Sequence, residues 1–167
     1  MLGSFSLLIL ILYAGNQWWS DTEISYKENL YVPMKNEVQL ISNGNQDILQ
    51  ILFTDELWLN GMIPDLMPDH GKIMHLYLIH EDYSQLCHLH PIRNKQDKNL
   101  FEVVFPEIEY GKYYLYMDIT LESGFSSTLT NKINYAANNI KQLKYNNLNS
   151  DKDDSYISND FQYQLEW

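Results

Sequence analysis

Short runs of apolar and β-branched residues, separated by polar turns, make up most of the chain after residue 36. Tyr, Val, Ile, Phe and Thr dominate these runs, and they are residue types that β-strands favour. No long stretch of this region repeats its apolar residues at the helical period of about 3.6. The pattern predicts an all-β fold, an antiparallel β-sandwich of about seven strands. The predicted strands cover residues 38–41, 48–54, 73–80, 85–90, 100–105, 113–121 and 127–133.

The N-terminal region follows a different pattern, because residues 2–19 contain no charged side chain. An uncharged helix of about 18 residues is just long enough to span a bilayer, and Trp18 and Trp19 lie where an interfacial aromatic belt would be. A cleaved signal peptide is the alternative, although the Lys or Arg that normally precedes its apolar run is missing. We therefore expect residues 1–19 to form one hydrophobic helix that acts as a membrane anchor or an uncleaved signal.

The charges after this helix bear on the location of the body. Asp21 and Glu23 follow the uncharged run directly, and the first lysine is Lys27. Positively charged flanks favour the cytoplasmic side of a membrane. The order of charges therefore favours a membrane-anchored, extracytoplasmic body, in a periplasm or at a cell surface.

Composition divides the rest of the chain into three regions. Residues 20–36 are a polar lead-in, residues 37–133 contain the predicted β-sandwich, and residues 134–167 form an arm rich in Asn and Asp. The arm ends in an alternating run, residues 161–167, that is typical of a last strand. A strand there leaves a sheet edge unpaired, which makes a partner chain at the C-terminal edge plausible.

The net charge of −11 excludes one large class of partner. The chain has 11 Lys and Arg residues against 22 Asp and Glu residues, and its sequence contains no basic patch. Because nothing offsets repulsion by phosphate groups, we expect no binding to nucleic acid. The single cysteine, Cys87, excludes an internal disulfide framework and a four-cysteine zinc site.

Residues that bind metals are concentrated in one short stretch. All five histidines lie between residues 70 and 90, and residues 62–90 also contain three of the six methionines and the only cysteine. His88 and His90 are two residues apart on a predicted strand, so their imidazoles point to one face and Cys87 points to the other. His75 lies on the preceding predicted strand, and whether it shares that face depends on a register that the sequence leaves open.

The types of these side chains favour copper. Imidazole binds both copper and zinc, and a thioether adds a preference for Cu(I). A site of two or three histidines with one methionine therefore favours copper first and zinc second. A blue-copper electron-transfer site is not expected, because the only thiol faces away from the histidine pair.

Catalytic patterns do not occur around this pair. A cupin-type H-x-H is followed within a few residues by Glu, whereas Pro91 and Ile92 follow here. Pro91 also interrupts the pattern of metallo-β-lactamase-like hydrolases, and there is no H-E-x-x-H, G-x-S-x-G or P-loop motif. Cys87 and its neighbouring histidines face opposite ways, which argues against a thiol nucleophile. We therefore expect a binding protein and not an enzyme.

Several segments resemble bacterial extracytoplasmic domains of the YtkA-like group. The H-x-H-P run at residues 87–91 resembles their F-x-H-x-H-P signature. The resemblance implies an immunoglobulin-like sandwich that binds copper or another heavy metal. The other similar segments are residues 65–72, 74–76, 101–103, 111–118, 122–125, 128–130 and 153–156.

The resemblance also implies a set of metal-binding residues. The metal positions of the group correspond to Met67, His75, His88 and His90 in this chain. We add His70 to this set because it lies in the loop that leads to His75.

Two hypotheses of different classes follow. The first is an extracytoplasmic transition-metal binding protein, a carrier or sensor and not a catalyst. The alternative is a metal-free immunoglobulin-like interaction module of a membrane-associated assembly, in which the histidines are structural. A third, weaker hypothesis is an assembly in which two chains share one metal site.

Overall fold

The computed structural model describes residues 2–29, 33–143 and 148–158, and the chain divides into two compact units at residue 32. In the first unit the structure describes a single helix, α1, Leu2–Asn29. This helix extends well past residue 19, through most of the segment that was expected to be a polar lead-in. Among the described residues, no helix is both long enough and apolar enough to cross a membrane.

This finding disagrees with the membrane-spanning anchor that the sequence predicted. The strongly apolar run of α1 ends at Tyr13, and Gly15, Asn16 and Gln17 follow within the next turn. A spanning helix needs about 20 consecutive residues that are predominantly apolar. The prediction rested on the absence of charge, which is a weaker requirement than sustained hydropathy.

The second unit is built from β-strands. Its elements are β1 (Asn36–Ser42), β2 (Asp47–Phe53), α2 (Glu56–Leu59), β3 (Leu66–Met67), β4 (His75–His80), β5 (Gln85–Leu89), β6 (Ile92–Arg93), β7 (Leu100–Val104), β8 (Gly111–Leu121), β9 (Ser126–Tyr135), a 3₁₀ helix (Ala137–Asn139), β10 (Lys141–Gln142) and β11 (Ser155–Ser158).

These strands form two sheets, so the prediction of a mostly β fold is confirmed. One sheet has five strands in the order β10-β1-β2-β7-β6, and the other has six, with β11, β5, β4 and β8 in line and both β3 and β9 paired to β8. All described pairings are antiparallel except that of β1 with β10. The expected number of about seven strands is too low, because two-residue strands such as β3, β6 and β10 have no detectable alternation.

The two sheets share one hydrophobic core. Strand β8 alternates strictly, and its residues 113, 115, 117 and 119 are buried. Together with apolar side chains of β4 and β5, they join a cluster that includes Leu49 and Phe101 from the five-stranded sheet. Cys87 is fully buried in this cluster, as its strand position predicted.

The segment that was expected to be an irregular arm contributes to both sheets. Strand β10 pairs with β1, and β11 pairs with the edge of β5. The pairing of β11 places Ser155 opposite His88. The predicted last strand, residues 161–167, lies outside the described residues.

Candidate metal centre

The hairpin of β4 and β5 sets the register that the sequence left open. Leu76 lies opposite Leu89, and Tyr77 lies opposite His88. Because Leu76 and Leu89 are buried in the core, the alternating residues project from the outer face of the six-stranded sheet. His75 and His88 therefore share the outer face, and His90 follows directly after β5.

The three imidazoles of His75, His88 and His90 converge on this face. Nδ1 of His75 lies 3.2 Å from Nε2 of His88. The ring centroids are separated by 5.4 Å between His75 and His88, 4.6 Å between His88 and His90, and 5.1 Å between His75 and His90. Each residue offers one nitrogen within 4.8 Å of the other two, which is the spacing of side chains that can hold one ion.

Neighbouring groups hold the first two rings in place. Tyr77 stacks on His88 with the ring planes 6° apart and the centroids 4.6 Å apart. Nε2 of His75 lies 3.2 Å from the backbone carbonyl of Asp69, on the ring edge opposite to the nitrogen that faces His88. Rings fixed in this way lose little conformational freedom when they bind an ion.

Burial and charge keep His88 neutral. Burial lowers the pKa of His88 first, and the proximity of His90 and His75 lowers it further. A neutral imidazole has a lone pair available for a metal ion, whereas the protonated form has none. His88 is therefore available as a ligand at neutral pH.

His90 is the most buried of the three histidines, with 5% of its side chain exposed. Its Nδ1 lies 3.3 Å from Oδ1 of Asp154 and 4.0 Å from Oδ1 of Asp151. Within the described part of the chain, this Nδ1 is a buried polar atom that makes no aligned hydrogen bond. Such atoms are uncommon in folded proteins and call for an explanation.

Carboxylates surround the cluster. Asp118 lies opposite His75 on β8, and Asp69 precedes it in the loop. A cavity of about 280 Å³ opens beside His75 and is lined by both of these aspartates. Acidic groups at a concave surface raise the local concentration of cations, and the cavity provides an entry path.

The one lysine among these groups, Lys72, is paired. Its Nζ lies 2.7 Å from each carboxylate oxygen of Asp151 and 3.0 Å from Oδ2 of Asp153. These hydrogen bonds raise the pKa of Lys72 and lower that of Asp151. The cation therefore holds two aspartates near the site and does not face the histidines as a free charge.

The remaining two predicted ligands lie at the margin of the cluster. His70 is exposed, its Nδ1 lies 3.0 Å from Oδ1 of Asp69, and its ring centroid is 6.5 Å from that of His75. Asp69, His70 and His75 form a second group with the spacing of metal ligands, but two of its three members are exposed. Met67 lies opposite Thr120 on β8, so it shares the outer face with His75, two β8 positions further along.

Cys87 takes no part in this chemistry. It lies on the core face of β5, and burial raises the pKa of its thiol to about 12. The thiolate is the form that binds metals and attacks substrates. Cys87 is therefore an inert core residue at neutral pH.

Sequence reasoning missed the partners that orient these rings. Asp151, Asp154 and Tyr77 contact the cluster, and the sequence pattern assigned none of them to the site, although Asp154 lies in the similar segment 153–156. Asp154 is 64 residues away from His90 in sequence. The stacking of Tyr77 on His88 follows from the hairpin register, which alternation alone does not determine.

The fold and the cluster define a two-sheet β domain that presents three imidazoles on the outer face of one sheet. The chain belongs to the family described as Domain of unknown function (DUF8832), whose sequence model matches residues 33–137. This description assigns no activity, so the resemblance to YtkA-like domains stays a prediction. No curated protein matches the chain.

One solved structure is similar to the chain. The crystal structure of CopC from Methylosinus trichosporium OB3b shows 8% sequence identity, covers 68% of this chain and 90% of that chain, and has a TM-score of 0.37. A likeness at this TM-score supports no conclusion about the function of this chain.

Proposed function

We propose that this protein binds a transition-metal ion, copper first and zinc second, through His75, His88 and His90. The convergence of three imidazoles carries the proposal, because each offers a nitrogen within 4.8 Å of the others. Histidines on a sheet surface are more often solvated singly than gathered in this way. The acidic groups around them favour a cation over any other small ligand.

The candidate thioether ligand favours copper over zinc. The three imidazoles by themselves fit either ion, since zinc sites with three histidine ligands also occur. Met67 shares the outer face, and a thioether ligand selects for Cu(I). Met67 is therefore the candidate for an additional ligand that tunes the preference for the reduced ion.

The sequence around the histidine pair contains no recognised catalytic motif, which favours a carrier or a sensor over a catalyst. Ser84, His80 and Asp82, at the far end of β4, are a second group to compare with a catalytic site. Nδ1 of His80 contacts Asp82 Oδ1 and also lies 3.4 Å from Oγ of Ser84. In a catalytic triad the nucleophile and the orienting carboxylate contact different nitrogens of the histidine, so this group has the arrangement of a turn and not of a triad.

We also propose that the protein acts outside the cytoplasm, because residues 87–91 resemble the signature of the extracytoplasmic YtkA-like domains. Fusing the C-terminus to a reporter enzyme that is active only after export tests this location. Reporter activity is expected from the full chain, and a fusion that is expressed but inactive would overturn the proposal.

Metal titration of the full chain tests the proposed site. The purified chain is titrated separately with Cu(I), Cu(II) and Zn(II), and the metal retained after desalting is measured by elemental analysis. We expect about one equivalent to be retained, with Cu(I) bound most tightly in competition against a chromophoric chelator. The double variant His88→Ala/His90→Ala is expected to lose this retention.

His80→Asn provides the matched control. It removes a histidine from the far end of β4, away from the cluster. Retention in this variant is expected to equal that of the wild type. If the wild type retains none of the three ions, the proposal fails and the interaction-module hypothesis is favoured. If the double variant retains as much metal as the wild type, the ion binds elsewhere.

A further inference from the structure

We infer that Asp154 is a positioning residue for the metal centre: its carboxylate faces Nδ1 of His90 and thereby leaves Nε2 as the nitrogen that binds the ion. The inference rests on the proposed function and adds to it the mode of binding. It involves a residue beyond the segment matched by the family, residues 33–137.

The contact between Asp154 and His90 is close and buried. Oδ1 of Asp154 accepts a hydrogen bond of 2.8 Å from the backbone N–H of His90 and lies 3.3 Å from Nδ1 of the same residue. The side chain of Asp154 is 10% exposed and that of His90 is 5% exposed. One carboxylate oxygen is therefore in contact with both the backbone and the ring of the candidate ligand.

The chemistry of imidazole then determines which nitrogen carries the proton. A neutral imidazole has one N–H and one lone pair, and an ionised carboxylate only accepts hydrogen bonds. A lone pair on Nδ1 would face the carboxylate and repel it, whereas a proton on Nδ1 is attracted. Nδ1 of His90 is buried and makes no aligned hydrogen bond among the described residues, and Oδ1 of Asp154, 3.3 Å away, is an acceptor that a proton on Nδ1 would face.

Other contacts hold Asp154 in this position. Its second oxygen, Oδ2, accepts a hydrogen bond of 3.0 Å from the backbone N–H of Asp151. Asp151 is paired in turn with Lys72, in the loop that precedes β4. Strand β11 begins at the next residue, Ser155, and pairs with β5. The acidic segment is thus attached to β5 and to the loop that precedes β4.

His75 shows the same arrangement on the other side of the cluster. Its Nε2 faces the carbonyl oxygen of Asp69 at 3.2 Å, so a proton there leaves the lone pair on Nδ1, the atom that faces His88. Metal-binding histidines commonly donate their second N–H to a carboxylate or a carbonyl in this manner. The inferred ligand atoms are therefore Nδ1 of His75, Nε2 of His88 and Nε2 of His90.

Nitrogen NMR of the full chain, with ¹⁵N-labelled histidine at mildly alkaline pH, reads the tautomer of His90 directly. In the metal-free wild type we expect Nδ1 of His90 to carry the proton. On addition of Cu(I), which is diamagnetic, we expect the resonance of Nε2 to shift while Nδ1 keeps its proton. The Nε2–H tautomer in the metal-free protein would overturn the inference, whether or not the protein binds metal.

A pair of variants tests the effect on affinity. Asp154→Asn keeps an acceptor for the backbone of His90 but removes the charge, and its affinity for Cu(I) is expected to fall by about 10- to 100-fold. Asp153→Asn is the control, because Asp153 is 70% exposed and pairs with Lys72. Its affinity is expected to equal that of the wild type.

The outcomes separate the inference from the proposed function. Unchanged Cu(I) affinity in folded Asp154→Asn would overturn the positioning role and leave the three-histidine site standing. Failure of the wild type to bind Cu(I) would overturn both. If Asp154→Asn does not fold, the tautomer of His90 in the metal-free wild type still tests the positioning role of Asp154.

Discussion

A methyl group at Gly111 has almost no room, and its cost depends on one neighbouring side chain. An ideal Cβ at this position would lie 2.9 Å from Cδ2 of His80 and closer still to its Nε2. Ordinary contacts between such atoms are about 3.5 Å or longer, so both contacts are too short. The backbone of Gly111 lies outside the left-handed region, and the clash is therefore the only obstacle to alanine.

The ring of His80 cannot move away freely. It contacts the carboxylate of Asp82 through Nδ1 and packs edge-on against Tyr113 with centroids 5.0 Å apart. These interactions also hold the Asp82 carboxylate in its ionised form, since the hydrogen bonds from Ser84 and His80 lower its pKa. We therefore expect Gly111→Ala to lower the free energy of unfolding by about 1–3 kcal/mol, the usual cost of overpacking.

The same substitution is expected to have the opposite effect once the ring is removed. In a His80→Ala background, alanine at residue 111 meets no clash and restricts the unfolded chain, which stabilises a protein by about 0.4–1 kcal/mol. Urea unfolding of the wild type, both single variants and the double variant measures the coupling. An equal effect of Gly111→Ala in both backgrounds would refute the reasoning.

Three further predictions concern other parts of the domain. Arg93 holds the pKa of Asp65 below its ordinary value of 3.8, so the ionised carboxylate stabilises the folded state above that pH. The stability that this pair contributes is lost as the pH falls below about 3.8 and through the lowered pKa. Asp65→Asn should therefore show a smaller drop in urea midpoint between pH 6 and pH 3 than the wild type. An equal drop in the two proteins would contradict this. Tyr113→Phe removes the hydroxyl that donates a hydrogen bond of 2.5 Å to the buried Gln85 side chain. The free energy of unfolding, measured in urea, should fall by about 1–3 kcal/mol. An unchanged free energy of unfolding would contradict this prediction. Burial raises the pKa of Cys87 to about 12, so at pH 8 a thiol reagent should label it far more slowly in the folded protein than in urea, whereas equal rates would show that the thiol is exposed.

Short runs of apolar and β-branched residues, separated by polar turns, were sufficient to predict the main strands. Strands such as β8 alternate between core and surface along their length, and the predicted segment, residues 113–121, lies within β8. Alternation indicates which residues share a face of one strand, but it does not indicate which strands pair or in what register. The pairing of β11 with β5 joins residues that are far apart in sequence, and no local signal marks it.

The candidate site was predicted only in part, because alternation along a strand determines faces but not the pairing of strands. His88 and His90 were placed on one face because the two-residue period of a strand requires it. The register of the hairpin then decides whether His75 joins them, and the structure shows Tyr77 opposite His88, which brings His75 to the same face. Asp154 contacts His90 only because the chain returns along the edge of β5, which is a property of the tertiary fold.

The helical extent of α1 shows where the reasoning from the sequence failed. The run without charge predicted a helix that ends near residue 19, but α1 continues to Asn29. Polar residues such as Glu and Lys are good helix formers, so loss of hydropathy does not end a helix. Hydropathy and helix formation are separate properties, and the prediction treated them as one.

X-ray absorption at the copper edge of the Cu(I)-loaded full chain tests the central claim most directly, because it counts the imidazole ligands of the bound ion. We expect the scattering of three imidazoles, from His75, His88 and His90, and the loss of that signature in the His88→Ala/His90→Ala variant. A bound copper ion with no imidazole in its coordination shell would contradict the account.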